Sequence, residues 1–249
     1  MKTLLIIPTY NELESLPRQV AGVRAAAPEV DILIADDNSP DGTGAIADDL
    51  AANDSHIFVL HRKGKEGLGK AYVAGFKWGL ARGYELLCEM DADGSHRAQD
   101  YPRLLTRAME RDRPDLVIGS RWVPGGEVVN WPLSRKILSK GGNFYVDTML
   151  GMKVKDATAG FRVYRADILR KIGLAEVESH GYCFQVDMTW RTIRAGGTVA
   201  EVPITFVERD TGESKMSKSI VTEALWKTTK WGFAYRFGQL RDLILRLWK

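Results

Sequence analysis

Short runs that are apolar almost throughout recur along the first half of the chain, each followed by a stretch with helical spacing. Leu4–Ile7, Asp31–Ala35, Ile57–Leu60 and Leu86–Met90 are too short for core helices and too continuous for half-exposed strands. They read as strands covered on both faces. Helices are expected between them, over Glu14–Ala27, Thr43–Ala52 and Leu68–Arg82. Strand followed by helix, repeated, specifies an α/β fold with a mostly parallel, Rossmann-like sheet flanked by helices.

The second half continues less regularly. Tyr101–Arg111 reads as a helix, Leu116–Gly119 as a strand and Val123–Pro132, with three turn formers, as a mobile loop. A helix over Ser134–Leu150, a strand over Gly160–Tyr164, a helix over Cys183–Ala195 and one alternating strand over Thr198–Phe206 follow. The simplest division is one domain over 1–216 and a basic amphipathic helical tail over 217–249. The tail interleaves Trp226, Trp231 and Phe237 with Lys227, Lys230 and Arg236. Such a segment either lies in a membrane interface or packs on the domain or another subunit.

Bulk properties close off several classes. A chain of 249 residues with net charge +3 does not indicate nucleic-acid binding. Two cysteines, Cys88 and Cys183, stand far apart with no His or Cys at ligand spacing, which argues against zinc or a disulfide framework and for a reducing compartment. No stretch approaches the roughly 18 to 20 apolar residues of a membrane span. The opening run resembles the start of a signal peptide, but Pro8–Glu12 ends it early. Gly64–Lys70 is not a phosphate-binding P-loop, because Ala71 stands where that motif needs Ser or Thr, and no G-x-G-x-x-G opens the first helix.

Chemistry concentrates where strands end, at the edge where open α/β sheets bind ligands. The first strand runs into Pro8-Thr9-Tyr10-Asn11-Glu12, the second into Asp36-Asp37, and the fourth into Asp91-Ala92-Asp93. An Asp-x-Asp alone is equally a turn. On an extended backbone, however, both acids would face one ligand. An aromatic face and a carboxylate suit a nucleobase, and an acid pair suits a diphosphate with Mg²⁺ or Mn²⁺. The second half carries cations near element ends: Arg121, Arg135, Arg209 and Lys215. Each alone is an ordinary surface charge, yet Arg135 and Ser139 share a helix face and together suit a phosphate. His56, His61 and His180 read as structural. His96 lies beside the acids and is not counted as a ligand.

In this order, these blocks resemble the dolichol- or polyprenol-phosphate mannose synthases, within the family-2 glycosyltransferases of GT-A fold. The blocks are Pro8–Glu12, Asp36–Thr43, Asp91–His96, Gly119–Arg121, Ser134–Lys136, Gly160–Arg162, Gly181–Gln185 and Glu208–Lys215. The resemblance implies a guanosine site lined by Pro8, Tyr10, Glu12, Ala35 and Asp37. It places Asp91 and Ala92 on the donor and Asp93 on the metal. Ser95 stands where some relatives have a glutamine ligand. Arg121, Arg135 and Ser139 would take the lipid phosphate, with Arg121 also on the donor side and catalytic alongside Asp91 and Asp93. Arg209 and Lys215 would reach the donor diphosphate. The implied reaction is inverting, metal-dependent transfer of mannose from GDP-mannose to a polyprenyl or dolichyl phosphate at the cytoplasmic face of a membrane. The protein would be peripheral, with an anchoring partner an open question. UDP-glucose or another donor, and a catalytically silent nucleotide-binding subunit, stand as alternatives.

Overall fold

The computed structural model describes residues 1–177, 181–208, 225–233 and 235–237. Among them the chain runs β1 (Thr3–Thr9), α1 (Leu16–Ala26), β2 (Asp31–Asp36), α2 (Thr43–Asn53), β3 (Ile57–His61), α3 (Leu68–Ala81) and β4 (Leu86–Glu89). It continues with α4 (Tyr101–Met109), β5 (Leu116–Ser120), β6 (Glu127–Val129), α5 (Leu133–Leu150), β7 (Arg162–Arg165) and α6 (Ala166–Lys171). Last come α7 (Gly181–Arg194), β8 (Val199–Pro203) and β9 (Thr205–Val207).

Seven strands form one sheet in the order β3-β2-β1-β4-β7-β5-β8. In β1, Leu4 and Ile6 enter one core while Leu5 and Ile7 enter the other. Successive side chains point to opposite faces, so a strand buried on both sides is apolar at every position. Helix α3 lies tight against one face. A β-carbon on Gly75 would stand 2.6 Å from Ile6, and one on Gly79 would stand 2.7 Å from Leu87. Those contacts are too short for any side chain, so glycine sets the helix–sheet spacing there.

Strand β7 departs from the parallel expectation. It lies antiparallel to both β4 and β5. Strand β5 ends at the ligand-binding edge, and the chain returns to that edge after α5. It can then re-enter the sheet directly, because an antiparallel strand needs no crossover. The Thr198–Phe206 run is likewise two strands. β8 pairs with β5, whereas β9 pairs with β6 in a separate two-stranded sheet. Pro203, which has no N–H to donate, stands at the end of β8. The expected loop over Val123–Pro132 therefore contains a strand, and its Trp131 is buried.

The described part of the tail is helical over 225–233 and packs on the domain. The Tyr145 and Thr229 hydroxyls are 2.5 Å apart, Arg236 donates to the Thr148 carbonyl at 2.7 Å, and Tyr235 meets Trp190 edge-on at 4.9 Å. Its outer side leaves Trp226, Phe233 and Phe237 exposed. Residues 217–224 and 238–249 of the predicted tail lie outside the described residues.

Candidate active site

Parallel pairing aligns the ends of β1 and β2, setting Pro8 opposite Ala35 and Thr9 opposite Asp36. The five predicted nucleotide residues thus gather along one edge. Asp36 is a scaffold: it accepts from the Thr9 and Ser39 hydroxyls at 3.0 and 2.6 Å. Asp37 follows it and forms an ion pair with Arg62, both side chains being largely buried. Burial pushes the Asp37 carboxyl up, and Arg62 pulls it back only in part. Arg62 is fixed in turn by its own N–H to the Asp36 carbonyl and by Glu66 at 2.8 Å. The Lys65 ammonium covers the Tyr10 ring at 4.1 Å. Glu12 accepts from the Ser15 hydroxyl at 2.7 Å, and its N–H donates to the Thr43 hydroxyl.

The acid pair is not on one extended strand. β4 ends at Glu89, and residues 92–94 turn. Asp93 Oδ1 accepts the Ser95 N–H at 3.0 Å, an Asx-type turn that Gly94 completes at φ 77°. Asp91 Oδ1 instead accepts from the Tyr72 hydroxyl at 3.0 Å. Asp93 therefore shapes a turn just past the end of β4. Asp93 and Ser95 offer only oxygen, which fits a hard divalent ion such as Mg²⁺ or Mn²⁺. Among the described residues no three His, Cys, Asp or Glu side chains converge. A metal held here would complete its shell with substrate oxygens and water, as Mg²⁺ commonly does.

His96 buttresses this turn. It is buried, its Nδ1 accepts the Asp91 N–H at 3.3 Å, and its ring packs 5.3 Å from both Phe161 and Phe206. Burial lowers its pKa, so the ring is neutral at neutral pH. Beneath Asp91, Glu89 is fully buried, and its pKa is pushed up to about 8 by burial, with Arg162 only partly opposing. Its Oε2 accepts from Gln185 Nε2 at 2.8 Å, while Glu89 Oε1 and Gln185 Oε1 are both buried without partners. Protonation would turn one Glu89 oxygen from an acceptor into a donor, because a protonated acid both donates and accepts.

The two arginines expected at an acceptor phosphate, Arg121 and Arg135, come together over one indole, but each already has a carboxylate. Arg121 is buried and binds Asp156 through Nε at 2.8 Å and Nη2 at 2.6 Å, with Thr158 also on Nη2 at 2.9 Å. Asn143, on α5, reaches Asp156 and Thr158 as well. Arg135 pairs with Glu208 and lies 4.1 Å over the Trp131 ring; Arg121 is 5.4 Å from the same ring. Ser139 lies on α5 one turn from Arg135 and one turn from Asn143, to which its carbonyl is bonded at 3.0 Å. The segment carrying Asp156 and Thr158 continues to Gly160, where a β-carbon would stand 3.5 Å from Asp91, 3.6 Å from His96 and 3.7 Å from Gln185. It joins the two arginines to the acids. Arg209 and Lys215 lie outside the described residues. Sequence reasoning missed Arg62, Glu89, Asp156, Trp131 and Glu208. Only Glu208 fell within a noted block, and none carried a signal of its partner.

This edge, with acids at the ends of β1, β2 and β4 and an antiparallel β7, is that of a GT-A fold. Residues 4–173 match the model of Glycosyl transferase family 2, and the chain belongs to that family. Two relatives place it more narrowly. It is 58% identical over 241 residues to an undecaprenyl-phosphate mannosyltransferase of Micrococcus luteus, covering 97% of this chain and 98% of that one. It is 54% identical over 244 residues to a polyprenol monophosphomannose synthase of Mycolicibacterium smegmatis, covering 98% and 91%. Within the family, the chain stands among the polyprenyl-phosphate mannose synthases.

Among solved structures, glucosyl-3-phosphoglycerate synthase of Mycobacterium tuberculosis, with Mn²⁺, UDP-glucose and phosphoglyceric acid, superposes with TM-score 0.67 at 15% identity, covering 91% of this chain and 78% of that one. A mannosyltransferase of Pyrobaculum calidifontis with GDP-Man and Mn²⁺ gives TM-score 0.57 at 13%, covering 95% and 75%. At such identity the likeness is one of fold.

Proposed function

We propose that this protein transfers mannose from GDP-mannose to a polyprenyl, dolichyl-type monophosphate, with inversion and with a divalent metal. The coarser part, mannose transfer to a polyprenyl phosphate, follows the relatives that match over nearly the whole chain. The observation that carries the finer part is the juxtaposition of two charge sets: Asp91 and Asp93 at the end of β4, and Arg121 and Arg135 over one indole across Gly160.

Pro8, Tyr10, Glu12, Ala35 and Asp37 hold the nucleoside. Arg62 keeps the Asp37 carboxylate oriented for a ring N–H. Asp91 and Ala92 contact the donor, and Asp93, with Ser95, holds the metal. When bound, Mg²⁺ or Mn²⁺ stabilises the charge of the departing nucleoside diphosphate. Arg121, Arg135 and Ser139 take the acceptor phosphate, and Arg209 and Lys215 reach the donor diphosphate. The acceptor is already an anion, so attack on the anomeric carbon needs cations rather than a general base. His96 is not a base in this scheme, since its Nδ1 is occupied by the Asp91 N–H. One in-line displacement converts an α-linked donor into β-mannosyl phosphate.

The lipid must meet an apolar surface. Helix α5, which carries Arg135 and Ser139, exposes Leu133, Ile137, Leu138 and Phe144. The tail beside it exposes Leu225, Trp226, Phe233 and Phe237. Among the described residues no helix is long and apolar enough to cross a membrane. We infer a peripheral contact with the cytoplasmic membrane face. The division into a catalytic domain over 1–216 and a surface-binding tail over 217–249 belongs to the same reading.

Radiolabelled transfer tests the chemistry. GDP-mannose should label a polyprenyl phosphate and UDP-glucose should not; label from UDP-glucose instead overturns the donor, and label from neither overturns catalysis. Flotation with anionic liposomes tests the tail, and equal binding by a chain ending at 216 would rule it out as the contact.

A further inference from the structure

Among the described residues, three N–H donors on the acceptor side are buried without an acceptor: Trp122 Nε1, Trp131 Nε1 and Arg135 Nε. They belong to one cluster. The two indoles meet edge-on with ring centres 6.4 Å apart, and the Arg135 guanidinium lies 4.1 Å over Trp131. Arg121 is 5.8 Å from the Trp122 ring, and the Lys140 ammonium is 4.9 Å from it. Buried donors are nearly always satisfied, so three orphans in one place mark a missing acceptor. Three orphan N–H groups among three cations call for an anion rich in oxygen.

Among the described residues two carboxylates reach the cluster, and neither meets that demand. Asp156 is committed to the Arg121 side chain and to the Arg121 backbone N–H at 2.9 Å. Glu208 pairs with Arg135 Nη1 and leaves Nε unmatched. Its backbone N–H is tied to the Val129 carbonyl at 3.2 Å, which fixes it at the end of β9. A carboxylate has one charge and two oxygens. A phosphate monoester has three terminal oxygens and about two charges, and so matches these donors better.

We propose that Glu208 is a resident counter-anion on Arg135, displaced by the acceptor's phosphate, which then also takes Arg135 Nε and the Trp122 and Trp131 N–H groups. The proposal rests on reading Arg135 as an acceptor-phosphate ligand. It makes the two tryptophans binding residues and Glu208 a specificity-determining one. A dianionic monoester gains charge by displacing Glu208, whereas a phosphodiester or a carboxylate exchanges one charge for one.

Steady-state kinetics on the full-length protein test it. Arg135→Ala should raise the KM for polyprenyl phosphate; no change would overturn the underlying reading and the proposal together. Trp131→Phe keeps a ring under Arg135 and removes one donor. It should raise acceptor KM about tenfold, the scale of one hydrogen bond to a charged group, with donor KM held. Glu208→Gln should lower acceptor KM several-fold. It should also strengthen inorganic phosphate binding, read by tryptophan fluorescence without turnover. A merely structural Glu208 predicts the reverse, a raised KM and weaker phosphate binding. If Arg135→Ala raises KM while Trp131→Phe and Glu208→Gln match the parent, the reading stands and the counter-anion proposal falls. Should Trp131→Phe not fold, Trp122→Phe provides the same comparison.

Discussion

The two sides of the proposed site, donor and acceptor, are built differently. On the donor side, acids follow directly from parallel strands, and local turns hold them: Asp93 folds onto Ser95, and Asp36 onto Ser39. On the acceptor side, the cations are held by carboxylates from distant parts of the chain, Arg121 by Asp156 and Arg135 by Glu208. A carboxylate at a strand end needs only backbone N–H groups and water to stay charged. A guanidinium taken out of water needs a counter-ion, because burying an unpaired charge costs several kcal/mol. The turn acids Asp36 and Asp93 are therefore held locally, although Asp37 and Asp91 also take Arg62 and the Tyr72 hydroxyl, while both arginines depend on carboxylates from distant parts of the chain.

The largest expected effect breaks the donor side without touching the fold. Asp93→Ala should lower transfer on the order of a thousandfold while leaving the melting temperature nearly in place. Substantial turnover with metal present would show that the acid is only a turn residue. Breaking the acceptor side should do the opposite first. Asp156→Ala removes the carboxylate that holds the buried Arg121, and urea denaturation should register a loss of about 3–5 kcal/mol. A loss within about 0.5 kcal/mol, the range of ordinary surface substitutions, would mean that Arg121 does not depend on its partner.

Glu89 sharpens the contrast, being a buried acid on the donor side without a bidentate partner. Its native pKa is raised from 4.5 to about 8, so the native state binds the proton more tightly than the unfolded state. Stability should therefore fall as pH rises from about 4.5 to about 8 and level off beyond. Glu89→Gln mimics the protonated form and should match the parent near pH 4. Near pH 8 it should exceed the parent by a few kcal/mol, because each pH unit crossed between those two values costs the parent on the order of 1.4 kcal/mol. Parallel stability curves for the two proteins would mean that Glu89 is ionised in the fold.

The same contrast explains what could be read beforehand. The strand runs, the order of β1 to β4 and the edge positions of Pro8, Ala35, Asp37 and Asp91 all follow from apolar runs ending in turn residues. The antiparallel β7 did not, because Gly160–Tyr164 looks the same in either direction. Nor did the split of Thr198–Phe206 or the strand within Val123–Pro132, since β6 and β9 exist only by pairing with each other. Arg121 and Arg135 were legible as cations but not as ion pairs. Their partners are 35 and 73 residues away, and no local pattern links them.

By itself the sequence determined the strand runs β1 to β4, the edge where they end and the identity of the groups there, because periodicity and turn chemistry act over a few residues. Only the tertiary structure decided what those groups are bonded to. It turned Asp93 away from the strand, set a neutralised acid beneath Asp91, and surrounded Arg135 with Trp131 and Glu208. Charge and hydrogen-bond demand inside a protein are met by whatever the fold brings near, and nearness across the chain is not written in any short stretch of it.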